Sequence, residues 1–130
     1  MTSTKPRVLI IDDDDIMLDL LEALLSGKGF DCHKAINFED GLGAIKLNNF
    51  KYVFADIFMP GMGGIEGVRQ IKRLDPFIPV MAVSGGYSEM SAEKAIEAAQ
   101  MIGADCGLEK PFTEERFDQA FEALKAATIC

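Results

Sequence analysis

The sequence predicts an α/β domain with a doubly wound parallel sheet, on three observations. Short β-branched or aromatic runs recur about every 20–30 residues, the stretches between them carry apolar residues three and four apart, and several of the runs are apolar without alternation. The first strand is Val8-Leu9-Ile10-Ile11, and Met17, Leu20, Leu21, Leu24 and Leu25 mark a first helix that Gly27 and Gly29 can end. Phe30 to Ala35 is the second strand, followed by a helix with Phe38, Leu42 and Ile45 on one face. Tyr52 to Ala55 is the third strand, and Ile65, Val68, Ile71 and Leu74 line the third helix. Val80 to Val83 is the fourth, and a helix over about 88–102 offers Met90, Ala95, Ile96, Ala99 and Met101 before Gly103 stops it. The weakest run, Asp105 to Leu108, is the fifth strand. A last helix over about 113–127 offers Phe117, Ala120, Phe121 and Leu124, with Thr113 as its cap and Arg116, in place of Glu or Gln, at the capping-box partner position.

Strands apolar throughout, as the first, third and fourth are, suit the centre of a parallel sheet with helices on both faces. Right-handed crossovers leave two common strand orders, and five β-α units favour the flavodoxin-like order 2-1-3-4-5 with five helices. A length of 130 residues suits one domain, residues 1–130. Hydrophobic residues at 48% and charged residues at 26% argue against disorder and coiled coil. Thirteen Lys and Arg against twenty-one Asp and Glu give a net charge of −8, which repels phosphate backbones and argues against direct nucleic-acid binding. The only early apolar run stops at Asp12-Asp13-Asp14-Asp15, too short for a signal peptide or a membrane span, so a cytoplasmic protein is expected. Cys32, Cys106 and Cys130 are odd in number and lack CxxC spacing, which argues against a disulfide framework or a zinc site; they read as small buried residues, Cys130 as a free terminal thiol.

In such sheets, sites form beyond the carboxyl ends of the strands, here at the switch point between strands 1 and 3. Strand 1 ends in Asp12 and Asp13, strand 3 in Asp56 and strand 4 in Ser84, and strand 5 runs into Lys110-Pro111. Crowded carboxylates raise one another's pKa unless a cation neutralises them, and an oxygen-only donor set points to Mg²⁺. Asp14 and Asp15 read more simply, as acids favoured by the dipole at a helix N-terminus.

With those residues in place, the chain resembles the receiver domain of bacterial two-component response regulators. The likeness rests on Asp12-Asp13 after the first strand, Asp56 in Ala-Asp-Ile-Phe-Met-Pro-Gly-Met, Ser84, and Lys110-Pro111-Phe112, and it extends from about Arg7 to Ala126. The resemblance implies that Asp56 accepts a phosphoryl group from a phosphohistidine of a sensor histidine kinase or a histidine phosphotransfer protein. It also implies that Asp12, Asp13, Asp56 and the main-chain carbonyl of Phe58 hold Mg²⁺. Phosphoryl transfer asks for positive charge against three equatorial oxygens, which the metal, the Lys110 ammonium and the Ser84 hydroxyl supply. The Lys110-Pro111 bond is a candidate cis peptide.

Many receivers carry Tyr or Phe three residues before the lysine; here that position is Gly107. Gly85-Gly86-Tyr87 after Ser84 resembles a subset of single-domain regulators, with Tyr87 as the candidate reporting residue beside the alternative of a packed loop tyrosine. Gly61 to Gly67 lacks the third glycine of a GxGxxG fingerprint and reads as a turn into the third helix, and His33 reads as an edge-strand residue without catalytic partners. Four acids after strand 1 exclude an FMN phosphate loop, and Phe58 stands where a haloacid-dehalogenase-type phosphatase needs a second Asp. The rival from another class is a phosphorylation-independent protein-binding module of the same fold. In either case a downstream protein target is expected, met by docking or phosphorelay, with no membrane contact.

Overall fold

The computed structural model describes residues 5–58, 63–85 and 91–127, except the side chain of Ala92. The elements alternate without exception: β1 (Arg7–Ile11), α1 (Asp15–Ser26), β2 (Asp31–Ala35), α2 (Phe38–Leu47), β3 (Tyr52–Asp56), α3 (Gly64–Leu74), β4 (Val80–Ser84), α4 (Ala92–Met101), β5 (Cys106–Glu109) and α5 (Glu114–Ala127). The strands form one parallel sheet in the order β2-β1-β3-β4-β5, as the apolar runs and crossover rule predict.

Side-chain alternation along the strands divides the core in two. Leu9, Ile11, Val53, Ala55, Val80 and Ala82 face α2, α3 and α4, meeting Phe38, Val68, Ile71, Ala95, Ile96 and Ala99. Val8, Ile10, Phe54, Met81 and Val83 face α1 and α5, meeting Leu18, Leu21, Leu25, Phe117, Phe121 and Leu124. The second face is aromatic: Phe54 stacks on Phe117 at 5.7 Å between centroids, and Tyr52 meets Phe121 edge-on at 5.3 Å. By contrast, α4 is held to the sheet through Ala95, Ile96 and Ala99.

The caps follow local chemistry. Asp14 caps α1, its Oδ1 accepting the Ile16 N–H at 2.9 Å, and Asp15 sits in the first turn. Thr113 Oγ1 accepts the Arg116 N–H at 3.1 Å at the start of α5, and Gly29 and Gly103 take positive φ after α1 and α4. Some expectations need correction. Asp12 lies just past β1, whereas Asp56 and Ser84 end β3 and β4 as expected, and Phe30 precedes β2, packing edge-on against Tyr52 and Phe121. Met101, placed on the apolar face of the fourth helix, is 88% exposed, because two residues beyond the buried Ala99 it lies nearly opposite it on the helix; Leu20 and Leu74 are also exposed. Cys32 and Cys106 are half-buried on the two edge strands, where only one side is fully covered. Met90 and the expected start of the fourth helix at 88 lie outside the described residues; α4 begins at Ala92 behind a Ser91 cap whose Oγ accepts the Lys94 N–H. His33 packs edge-on against Phe50, in keeping with a bland role. Among the described residues, no helix is long and apolar enough to cross a membrane.

The glycine run before α3 has a packing reason. A Cβ on Gly64 would overlap the backbone of Ile57, and one on Gly67 would overlap the Phe38 ring, so α3 sits close to the loop after β3 and to α2. Gly43, inside α2, has nothing within 4 Å of its missing Cβ. Gly64→Ala should therefore destabilise by about 2 kcal/mol or more through overpacking, whereas Gly43→Ala should stabilise by about 0.5–1 kcal/mol through helix propensity. Urea midpoints moving in opposite directions would bear out the packing difference.

Candidate functional site

Parallel registration brings the site together. Ile11 pairs with Ala55, so the residues that follow, Asp12 just past β1 and Asp56 at the end of β3, lie side by side. Asp56 in turn registers with Val83, one residue before Ser84, and Ser84 pairs with Glu109, one before Lys110. Asp12, Asp56 and Ser84 are the buried polar residues at this end of the sheet.

The two buried aspartates are held in the same way. Asp12 Oδ1 accepts the Asp14 N–H at 2.9 Å and Asp56 Oδ1 accepts the Phe58 N–H at 2.9 Å, each a turn that fixes the carboxylate by the main chain two residues on. Each turns its Oδ2 to the Lys110 ammonium, at 2.9 Å from Asp12 and 3.0 Å from Asp56. Lys110 is itself aimed by its strand: its N–H donates to the Ser84 carbonyl at 2.8 Å, and its peptide bond to Pro111 is cis. The pairing of Lys110 with Asp12 was not foreseen from sequence, although a buried acid and a lysine at the ends of strands on the same sheet were its signal.

Asp13 is exposed beside this pair, and Asp12, Asp13 and Asp56 each offer a carboxylate oxygen, all within 4.8 Å of one another. One ammonium against three carboxylates leaves two negative charges unbalanced, the charge of one divalent cation, and the donors are all hard oxygens. The residues thus fit Mg²⁺. The electrostatics register the crowding. Burial, and secondarily the charge of Asp12, push the Asp56 carboxyl above the usual aspartate range against the pull of Phe58 N–H and Lys110. Burial works to lower the Lys110 pKa, but the hydrogen bonds and charges of Asp12 and Asp56 outweigh it and the ammonium is strengthened.

Of the remaining predicted positions, Tyr87 lies outside the described residues. Phe58 is half-buried and reaches Asp56 through its N–H. Gly107 lies in β5 opposite Ala82, away from the carboxylates, and a Cβ there would overlap Ile96 Cγ2. Ile96 of α4 thus occupies the place beside β5 that a larger residue at 107 would claim, a contact that sequence spacing does not encode.

The chain matches the family described as the response regulator receiver domain over residues 8–122. It is 32% identical over 128 residues to the transcriptional regulatory protein ZraR of Salmonella typhimurium, covering 98% of this chain and 28% of that protein. It is 33% identical over 120 residues to the CpxR homolog of Haemophilus influenzae, covering 91% of this chain and 49% of that protein. The chain therefore spans between about a quarter and a half of the length of these relatives. A CheY-like response regulator receiver domain protein from Methanospirillum hungatei JF-1 superposes with a TM-score of 0.82 at 26% identity, over 95% of this chain and 97% of that one.

The crowded carboxylates set a measurable linkage. A carboxyl whose folded pKa lies above its unfolded value binds more protons when folded, so its contribution to stability falls as pH rises through that window. Asp56→Asn should stabilise the metal-free protein by about 1 kcal/mol at pH 7, and the gain should vanish below the ordinary aspartate pKa of 3.8. Lys110→Ala, which leaves Asp12 and Asp56 facing each other, should destabilise at pH 7. Urea unfolding of the three proteins across pH 3–8 checks both signs.

Proposed function

Because the chain belongs to the response regulator receiver domain family, we propose that it accepts a phosphoryl group on Asp56 from a phosphohistidine of a sensor histidine kinase or a histidine phosphotransfer protein. The observation that carries this reading is a buried Asp56 held between Lys110 and a cluster of acids fit for a divalent cation. An Asp56 carboxylate oxygen attacks phosphorus as the P–N bond of the donor breaks. The electron pair stays on the ring nitrogen, which is then protonated, and Asp56 is left as an acyl phosphate. Asp56 is the acceptor and not Asp12 because it lies on the central strand, between β1 and β4, with Lys110 on one side and Asp13 within reach.

Lys110 pairs with one phosphoryl oxygen through an ammonium kept charged by its two carboxylates, and the Ser84 hydroxyl donates to another. Asp12, Asp13, Asp56 and the Phe58 carbonyl hold Mg²⁺, which when bound supplies positive charge against the transferring group. Attack of water on the acyl phosphate then releases inorganic phosphate and returns the domain to the unmodified state. No aromatic ring stands at Gly107, and the reporting role falls to Tyr87; Tyr87→Ala should then lower partner binding by the phosphorylated form while leaving phosphorylation intact. The modified domain signals by docking a downstream protein on the face of α4, β5 and α5, or passes the phosphate on. A net charge of −8 supports a protein-to-protein role without direct contact with nucleic acid.

Phosphate or beryllofluoride incorporation, with and without Mg²⁺, tests the reading in wild type and Asp56→Asn. Incorporation that needs Mg²⁺ and is lost in the variant is expected, together with a rise in Tm of a few degrees on adding Mg²⁺ to wild type alone. A folded wild type that incorporates neither probe would favour the phosphorylation-independent binding module.

A further inference from the structure

The amino edge of the sheet, opposite the carboxylates, carries a different surface. Helices α2, α3 and α4 cover one face, and each ends a short connection before the next strand, so their carboxyl ends gather at that edge. The last residue of each, Leu47, Leu74 and Met101, is large, apolar and exposed. Phe77, in the connection from α3 to β4, is 92% exposed. Single exposed apolar residues are ordinary on a protein surface, but these four share one end of one helical layer. The other large apolar residues exposed among the described residues, Ile16, Leu20 and Ile36, lie on α1 and just after β2.

Phe77 is held outward by a fixed loop. Asp75 Oδ1 accepts the Phe77 N–H at 3.2 Å, the Lys72 ammonium donates to the Ile78 carbonyl at 2.6 Å, and Ile78 is buried. Pro76 and Pro79 restrict the same loop. An aromatic side chain presented on such a backbone loses little freedom on contact. In the last turns of α3 and α4 and the connections after them, the charged residues are Lys72, Arg73, Asp75 and Asp105, two of each sign in a chain of net charge −8. Lys72 pairs with Asp105 at 2.9 Å. Arg73 and Asp75, one on each side of Leu74, are in no ion pair with a described residue, and they give the patch a charge pattern that complements itself: turned about a two-fold axis near Phe77, each copy's Arg73 faces the other's Asp75.

We propose that this end of the protein, centred on Phe77 with Leu74 and Met101 beside it, joins two copies of the chain in a two-fold dimer. Two copies approach here without the repulsion that their acidic carboxyl edges would impose. An anionic membrane fits worse, because the patch carries no excess of cations and the chain as a whole is at −8. The apolar area is modest, so the dimer forms and dissociates with concentration. Both carboxyl edges, each with its Asp56, stay open at the far ends of the pair, and the dimer stands or falls apart from phosphoryl acceptance.

Sedimentation velocity of the full chain at rising concentration tests the proposal. Wild type should pass from monomer toward dimer, and Phe77→Ser should weaken association about tenfold or more. Ile16→Ser, which removes an exposed apolar side chain at the start of α1, should leave association within about twofold. Arg73→Asp and Asp75→Arg should each associate poorly alone, since each sets like charges together across the axis, yet an equimolar mixture of the two should recover the dimer. If Asp75→Arg loses its turn and fails to fold, Arg73→Asp combined with Asp75→Asn keeps the acceptor oxygen, removes the repulsion and should associate more tightly than Arg73→Asp alone. A chain that stays monomeric throughout, a dimer indifferent to Phe77→Ser, or a mixture or double variant no tighter than its single variants would overturn the proposal.

Discussion

Lys110 reaches Asp12 and Asp56 because β1, β3, β4 and β5 run parallel and end at one level, so that residues far apart in sequence meet at a single sheet edge. An antiparallel neighbour would carry one of these groups to the opposite end. The rest of the molecule serves this arrangement. Strands covered on both faces must be apolar along their whole length, and the first polar positions available are their last residues or the ones just beyond. Helices on both faces then close the sides of the sheet while leaving that edge open.

The ion cluster is locally unfavourable in the absence of a cation, and that is its chemical content. Two buried carboxylates are fixed by main-chain N–H groups and so cannot swing apart to relieve their repulsion. The ammonium they share balances only part of the charge. Such a cluster gives up energy when a divalent cation or a group with positive character arrives, which couples occupancy of the site to the stability of the whole sheet edge.

Much of this was legible in the sequence. Periodicity placed all ten elements, because a strand buried on both faces leaves an unmistakable run of apolar residues and an amphipathic helix its three-and-four spacing. The site was legible too, since polar residues immediately following such runs have one place to be. Asp14 and Asp15 were separable from Asp12 and Asp13 by the needs of a helix N-terminus. What the sequence withheld were contacts between elements. The Asp12–Lys110 pair and the seat of Ile96 on Gly107 depend on how far one helix or loop stands from another, a distance with no pattern in the chain. Met101 misled because an apolar residue two positions beyond Ala99 lies nearly opposite it on the helix and faces solvent, while Ile102 returns to the core.

The helices that cover the two faces of the sheet are unequally fastened. On one, α5 is anchored by Phe117, Phe121 and Leu124, whose rings and branches interlock with Phe54 and Tyr52. On the other, α4 rests on two alanines and one isoleucine. Apolar area removed from water sets the free energy of separating a helix from its sheet, at roughly 25 cal/mol per Å². The ladder of local openings in this fold therefore begins at α4, whose amide protons exchange through a small excursion while those of β3 and β4 wait for global unfolding. A helix so lightly held is the cheapest part of the molecule to displace.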